Sequence, residues 1–233
     1  MNLYPSIFRR KSCRKFNMQP LSPERLSEID GAIESFTRLS PSPSLKWRFT
    51  DRVSGLYHVE APHYLIISGD GVAGENVGFL FQQLALWLDA EGLGCVWLGE
   101  AKDAAARSNS DIITIAFGST VDSPHRTLDQ FKRKAIENVT NSPEDFCIKA
   151  AHLAPSGLNT QPWYFEKQQD RVLVYKQKLK LPISLVYKHS DIDMGIALCH
   201  YWLACVQEGL PFSFKPEQSL PKKPGYLPFG VIE

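Results

Sequence analysis

Two long stretches of the chain are apolar on nearly every face. Residues 78–93 read GFLFQQLALWLDAEGL; wound as a helix, Phe79, Leu80, Leu84, Trp87 and Leu88 cover one side, and Phe81, Ala85 and Leu86 much of the rest. Residues 195–210 read GIALCHYWLACVQEGL, where Ile196, Leu198, Trp202, Leu203 and Val206 do the same. A helix without a polar face belongs inside a core. Both stretches end in Glu-Gly-Leu, and a glycine just past the last turn is the expected helix stop. Each leads into a short apolar segment, 95–98 and 212–214, that reads as a strand. Further strands are predicted at 64–68, at 112–117, at 164–166 running into 171–175, and near 229–232.

The two stretches align without a gap at an offset of 117 residues. Ser22-Pro23-Glu24 and Ser142-Pro143-Glu144, 120 residues apart, both read as helix starts. In each, serine is the cap, proline takes the first helical position, and glutamate suits the positive end. Leu39-Ser40-Pro41-Ser42 matches Leu153-Ala154-Pro155-Ser156, and Trp47-Arg48-Phe49 matches Trp163-Tyr164-Phe165. Such repetition predicts an α+β unit made of two half-domains, about 1–120 and 141–233, neither of which folds alone. Packed about a pseudo-twofold axis through the long helices, they would form a homodimer written in one chain, and hence a monomer. The link, 121–140, opens Asp/Ser/Pro-rich and carries Lys132-Arg133-Lys134, as an exposed loop does.

Composition narrows the function classes. Of 233 residues, 43% are hydrophobic, enough for a folded core. The balance of 26 basic and 25 acidic residues speaks against a general nucleic-acid binder. No apolar run reaches membrane-spanning length, and the N-terminus does not read as a secretory signal. The five cysteines are odd in number, widely spaced and without a C-x-x-C, which fits plain thiols in a reducing cytoplasm better than a disulfide or zinc framework.

The halves differ where chemistry could reside. Only the first carries Arg9-Arg10-Lys11-Ser12-Cys13-Arg14-Lys15, five of seven residues basic. That is either a solvated arm or an anion cradle of arginine forks and a hydroxyl. Only the second carries Ala154-Pro155-Ser156-Gly157-Leu158-Asn159-Thr160-Gln161-Pro162-Trp163; the matching segment from Ser40 to Trp47, Pro43 included, lacks Asn159, Gln161 and Pro162. This polar turn could hold a flat heterocycle or merely satisfy its own backbone. A third motif, G-x-G-x-x-G at Gly69, Gly71 and Gly74, would suit a Rossmann-type NAD enzyme. Such a site needs an acidic residue ending the next strand about 20 residues on. Asp89 falls inside the helix, and Glu100 comes 31 residues after Gly69, so the motif reads as a turn.

Arg10-Lys11-Ser12-Cys13-Arg14-Lys15-Phe16 resembles the R-x-S-x-R-x-F opening of the FMN-dependent nitroreductase family. The turn 154–163 resembles its P-S-x-x-N-x-Q-P-W, residues 92–99 its G-L-G-x-x-W-[I/L]-G strand, and 133–137 its closing R-K-P-L-E, with Ala135 in place of proline. In ordinary members two subunits build each FMN site, and the P-S-x-x-N turn follows soon after the arginine motif. Its displacement here to the second half resembles the single-chain pseudo-dimer subgroup, with an α/β/α sandwich and one FMN per chain. The resemblance implies that Arg10, Ser12, Arg14 and the Lys11 backbone hold the ribityl phosphate and pyrimidine edge. Arg133 and Lys134 would add charge at the phosphate. Pro155, Ser156, Gly157 and Asn159 would line the flavin, and the backbone of Leu98 and Gly99 would approach its N5. Ser54 and Tyr57 stand where many members have Lys or Asn. The implied activity carries electrons from NADH or NADPH through FMN to a nitroaromatic, quinone or flavin-like acceptor, with no protein side chain as catalyst. The alternative is a nitroreductase fold that binds flavin without turnover, or binds none.

Overall fold

Two helices with no polar face must be sheltered, and the chain shelters them against each other. The computed structural model describes residues 1–42, 44–55, 59–106 and 108–233; Pro43 and Tyr57 lie outside the described residues. The first half contains α1 (Pro23–Ser35), β1 (Lys46–Thr50), β2 (Val53–Ser54), β3 (His63–Ser68), α2 (Gly74–Ala90), β4 (Gly94–Leu98), β5 (Lys102–Asp103) and β6 (Asp111–Gly118). The second contains α3 (Phe146–His152), β7 (Trp163–Gln168), β8 (Arg171–Gln177), α4 (Ile183–Val186), α5 (Ser190–Glu208), β9 (Phe214–Pro216) and β10 (Tyr226–Ile232).

Two four-stranded sheets result, ordered β1-β3-β6-β4 and β7-β8-β10-β9. Taken along the chain, both place their strands first, second, fourth, third. One hydrophobic core joins them: Leu65, Ile67 and Ile115 from one sheet, Phe165, Val172 and Val174 from the other, and residues of α2 and α5, which pack against each other, with α2 also on β4 and α5 on β7. Phe79, Phe81, Leu84 and Leu86 are at most 1% exposed, each contributing about 1.5–3 kcal/mol of transfer free energy.

The local signals fare unequally. Ser22 caps α1, its hydroxyl accepting from the Arg25 amide at 3.3 Å. Gly209 ends α5 at φ 65°, in the left-handed region that glycine enters freely. Ser142, by contrast, caps nothing: α3 begins at Phe146, and the Asp145 carboxylate accepts from the Ile148 amide at 3.0 Å. A carboxylate also suits the helix dipole, so the later cap prevails. Residues 164–166 and 171–175 belong to two strands of a hairpin rather than one, turning at Gln169 (φ 43°). The strand expected at 212–214 is shifted to Phe214–Pro216, and β1 was not expected at all.

Every pairing between the named strands is antiparallel. A dinucleotide fold needs parallel strands joined by a crossover helix, so Gly69, Gly71 and Gly74 form no Rossmann site. Gly71 (φ 68°) is a turn residue, and Gly74 opens α2 against Asp191 of α5.

Candidate anion-binding site at the meeting of the halves

The N-terminal arm is held as an extra ribbon beside the first sheet. Ser12 bridges Cys95 of β4, Arg10 bridges His125, and Phe16 bridges Thr120. The arm thus lies between β4 and the start of the link, and this fixes where its basic side chains go. Arg9 turns to Asp89 of α2, with Nε 2.9 Å from the carboxylate. Arg10 turns inward: the residue is 2% exposed, its Nη2 donates to Ser12 Oγ at 3.4 Å, and its buried Nε has no partner. Lys11 contributes its amide to the Pro124 carbonyl at 3.3 Å. Arg14 is exposed and makes no side-chain hydrogen bond or ion pair with this group among the described residues.

Arg133 reaches the same region from the link. Its Nη2 donates to the Leu153 carbonyl (2.9 Å), and Nη1 to the Lys132 carbonyl (3.0 Å) and Asn159 Oδ1 (3.3 Å); its buried Nε is unpartnered. A third arginine joins them. Arg126 donates from Nε to the Arg10 carbonyl at 3.0 Å and lies flat over Phe131, 3.5 Å from the ring centroid. Arg133 flanks that ring at 5.4 Å. Among the described residues no carboxylate pairs with Arg10, Arg126 or Arg133, whereas Arg9, Arg25 and Arg48 all have one. Burial, followed by the like charge of Arg10, pushes Arg126 down to about 10. Burial, with Arg126 and Arg10 adding to it, pushes Arg133 down to about 9. Partly buried cations without counter-charge are costly, and their planar forks match phosphate.

Lys134 does not join this group. Its Nζ donates to the Gln161 carbonyl (3.1 Å) and Gln177 Oε1 (2.9 Å), and its amide donates to Gln161 Oε1. It stitches the turn to β8.

The turn after α3 is wound tightly. Leu158, Asn159 and Gln161 all have left-handed φ (51°, 55° and 45°), a rare state for side-chain-bearing residues that marks stored strain. Hydrogen bonds within the turn hold it. Ser156 Oγ accepts from the Gln161 amide (2.8 Å), and Gln161 Nε2 donates to Asn159. Asn159 also donates from Nδ2 to the Lys132 carbonyl at 3.0 Å. Both polar residues therefore serve the turn, and Asn159 in addition clamps Arg133. Pro155 is half-buried at the start of the turn.

The positions matched to the flavin ring lie beside α4 and its exit. A Cβ on Gly157 would sit 2.1 Å from the Tyr187 hydroxyl oxygen, and one on Gly99, just past the buried Leu98, 3.1 Å from the His189 ring. Gly157 also donates its amide to Asp193 Oδ1 at 2.9 Å. The other Asp193 oxygen accepts from the Tyr187 hydroxyl (2.8 Å) and Thr160 Oγ1 (3.4 Å). Despite three donors, burial lifts this carboxyl to about 7.

Arg126, Phe131, Tyr187, His189 and Asp193 are the residues sequence reasoning missed. Arg126 is a single basic residue in a polar stretch with no period to betray it. Tyr187, His189 and Asp193 lie around the start of α5, outside any motif or period that would mark them. Among the described residues, no cluster of His, Cys, Asp or Glu is placed to hold a metal ion, and no helix is long and apolar enough to cross a membrane.

Comparison with known proteins bears on this geometry. A chain described as a "putative nitroreductase" from Thermotoga maritima superposes with a TM-score of 0.67 at 21% identity, covering 100% of this chain and 92% of the other. That likeness shows the nitroreductase fold. An NADPH:FMN oxidoreductase from Vibrio harveyi covers 55% of this chain and 72% of its own at 16% identity and a TM-score of 0.43. An FMN-dependent nitroreductase from Clostridium difficile covers 49% and 85% at 18% identity and 0.38. No match was found among curated proteins. The model of the family described as "Putative TM nitroreductase" matches residues 2–205, and the chain belongs to that nitroreductase family.

Proposed function

We propose that the chain is an FMN-dependent oxidoreductase, drawing electrons from NADH or NADPH and passing them to a nitroaromatic, quinone or flavin-like acceptor. The observation that carries this reading is the carboxylate-free group formed by Arg10 and Arg133, one from the arm and one from the link, each with a buried Nε lacking a partner. Such a group fits the 5′-phosphate of FMN, whose negative charge would supply the missing counter-ion. The residues here would do three things: the arginines would anchor the phosphate, Asn159 holds Arg133 in place, and the backbone at Leu98–Gly99 would border the ring. Bound FMN would supply the redox chemistry, taking up a hydride equivalent and handing electrons on. On this reading the two halves form one internal pseudo-dimer with one flavin, sufficient as a monomer.

Flavin identification on the purified protein tests the reading. Yellow protein, bleached anaerobically by NADH or NADPH and re-oxidised by a quinone, is the expected result. Yellow protein indifferent to both donors would favour the flavin-binding protein without turnover, for which the Tyr187 contact on Gly157 is the favouring observation. Colourless protein that takes up no added FMN would refute both.

A further inference from the structure

We propose that Arg126, held flat on Phe131, is the third arm of the phosphate pocket and takes the part that the family pattern gives to Lys134. The inference rests on the flavin reading above and deepens it.

Lys134 is already committed. Its ammonium lies on the Gln161 carbonyl and the Gln177 amide oxygen, inside the frame that supports the turn. Arg126 is differently placed. One edge of its guanidinium is fixed by the bond from Nε to the Arg10 carbonyl, and its face by Phe131. With edge and face both fixed, the two terminal nitrogens remain as a pre-set fork. Arg133 approaches the same ring at 5.4 Å, so Phe131 stands between two like charges. Aromatic faces attract cations, and here one ring steadies both without neutralising either. Three guanidinium groups from the arm and from two points of the link therefore flank one region, and among the described residues no carboxylate pairs with any of them. A phosphomonoester dianion has the charge and the oxygen count to engage more than one fork at once; a neutral ribityl chain has neither. Phe131 is the positioning residue, because it touches the arginines and not the phosphate.

The test is titration of flavin-freed protein with FMN and with riboflavin, read by quenching of flavin fluorescence. The two ligands differ only in the phosphate. Wild type should prefer FMN. Arg126→Ala should weaken FMN binding ~10–100-fold, the loss expected of a charge-assisted contact, and leave riboflavin binding unchanged. It should also flatten the salt dependence of FMN affinity. Arg126→Lys should recover part of the loss, since an ammonium keeps the charge but not the flat fork. Phe131→Leu should lower FMN affinity less than Arg126→Ala and likewise spare riboflavin. Wild type binding neither flavin would overturn the flavin reading itself. Wild type preferring FMN, with Arg126→Ala retaining the full preference, would overturn the role of Arg126 alone. Equal weakening of both flavins would also overturn it, marking Arg126 as structural. A thermal melt of each variant ensures that folded protein is compared, with Arg126→Lys standing in should Arg126→Ala fail to fold.

Discussion

Gly78 and Gly195 occupy matching places at the crossing of α2 and α5. A Cβ on Gly78 would lie 2.0 Å from the Ile192 carbonyl oxygen, and one on Gly195 2.1 Å from the Glu75 carbonyl oxygen. Ile192 and Glu75 stand in the same 117-residue relation as the two glycines. Each glycine therefore meets the counterpart of the residue that its own counterpart meets, which is the signature of a two-fold contact. The two helices approach with backbone against backbone.

Gly78→Ala tests that crossing. The obstructing atom is main chain, so relief requires α5 to shift, and we expect a loss of about 3 kcal/mol in urea unfolding. Gly31→Ala is the control. Gly31 lies in α1 with nothing within 4 Å of an added Cβ, and the same change there should stabilise by ~0.5–1 kcal/mol through helix propensity alone. Equal effects at both positions would refute the close approach.

Arg10→Met should separate binding from stability. The substitution removes a buried cation that has no carboxylate partner, so flavin-free protein should melt at the same or a higher temperature. FMN should no longer raise that melting temperature, as it should in wild type. A variant several degrees less stable without flavin would show that Arg10 is compensated by groups other than a ligand.

Asp193 should impose a pH dependence of its own. Its carboxyl sits at about 7 in the folded chain against 3.8 for the free group, because burial dominates its three hydrogen bonds. The native state then holds the proton more tightly than the unfolded state. Stability from this group is complete below about pH 4 and is lost as pH rises to about 7. Asp193→Asn keeps an acceptor for the Gly157 amide while removing the charge. The difference between the two proteins' stability curves should grow by about 4 kcal/mol across that window in favour of the variant. A flat difference would place the carboxyl in a solvated site.

The thiols should be silent in the native state. All five cysteines are buried, and burial raises Cys95 to about 12. Only the thiolate reacts at a useful rate, so a thiol reagent at pH 8 should titrate far less than one group quickly and five after denaturation. Rapid native labelling would mark a cysteine as accessible.

What was legible depended on whether a residue's role was periodic or local. The apolar runs at 78–93 and 195–210 announce α2 and α5 because a buried helix needs apolar residues on all sides. Ser22 announces α1 because capping is decided within four residues. Ser142 misled because Asp145, three residues on, offers a stronger cap. Strand β1 escaped notice because an edge strand with one mixed face shows little alternation. In the candidate site, Arg10, Arg133 and Asn159 could be named from motif resemblance, and they do stand close together. Lys134 could not be told from its neighbour, since sequence adjacency does not say which way a side chain turns.

The sequence by itself determined the duplicated helix–strand plan and the division of basic arm and polar turn between the halves. These follow from periodicity and local hydrogen bonding, both of which act over short spans. Only the tertiary structure decided which cations lack counter-charge. Arg9 finds Asp89, while Arg10 beside it finds Arg126 and Arg133 instead. That outcome depends on three distant segments meeting, and Coulomb interactions act through space and burial rather than along the chain.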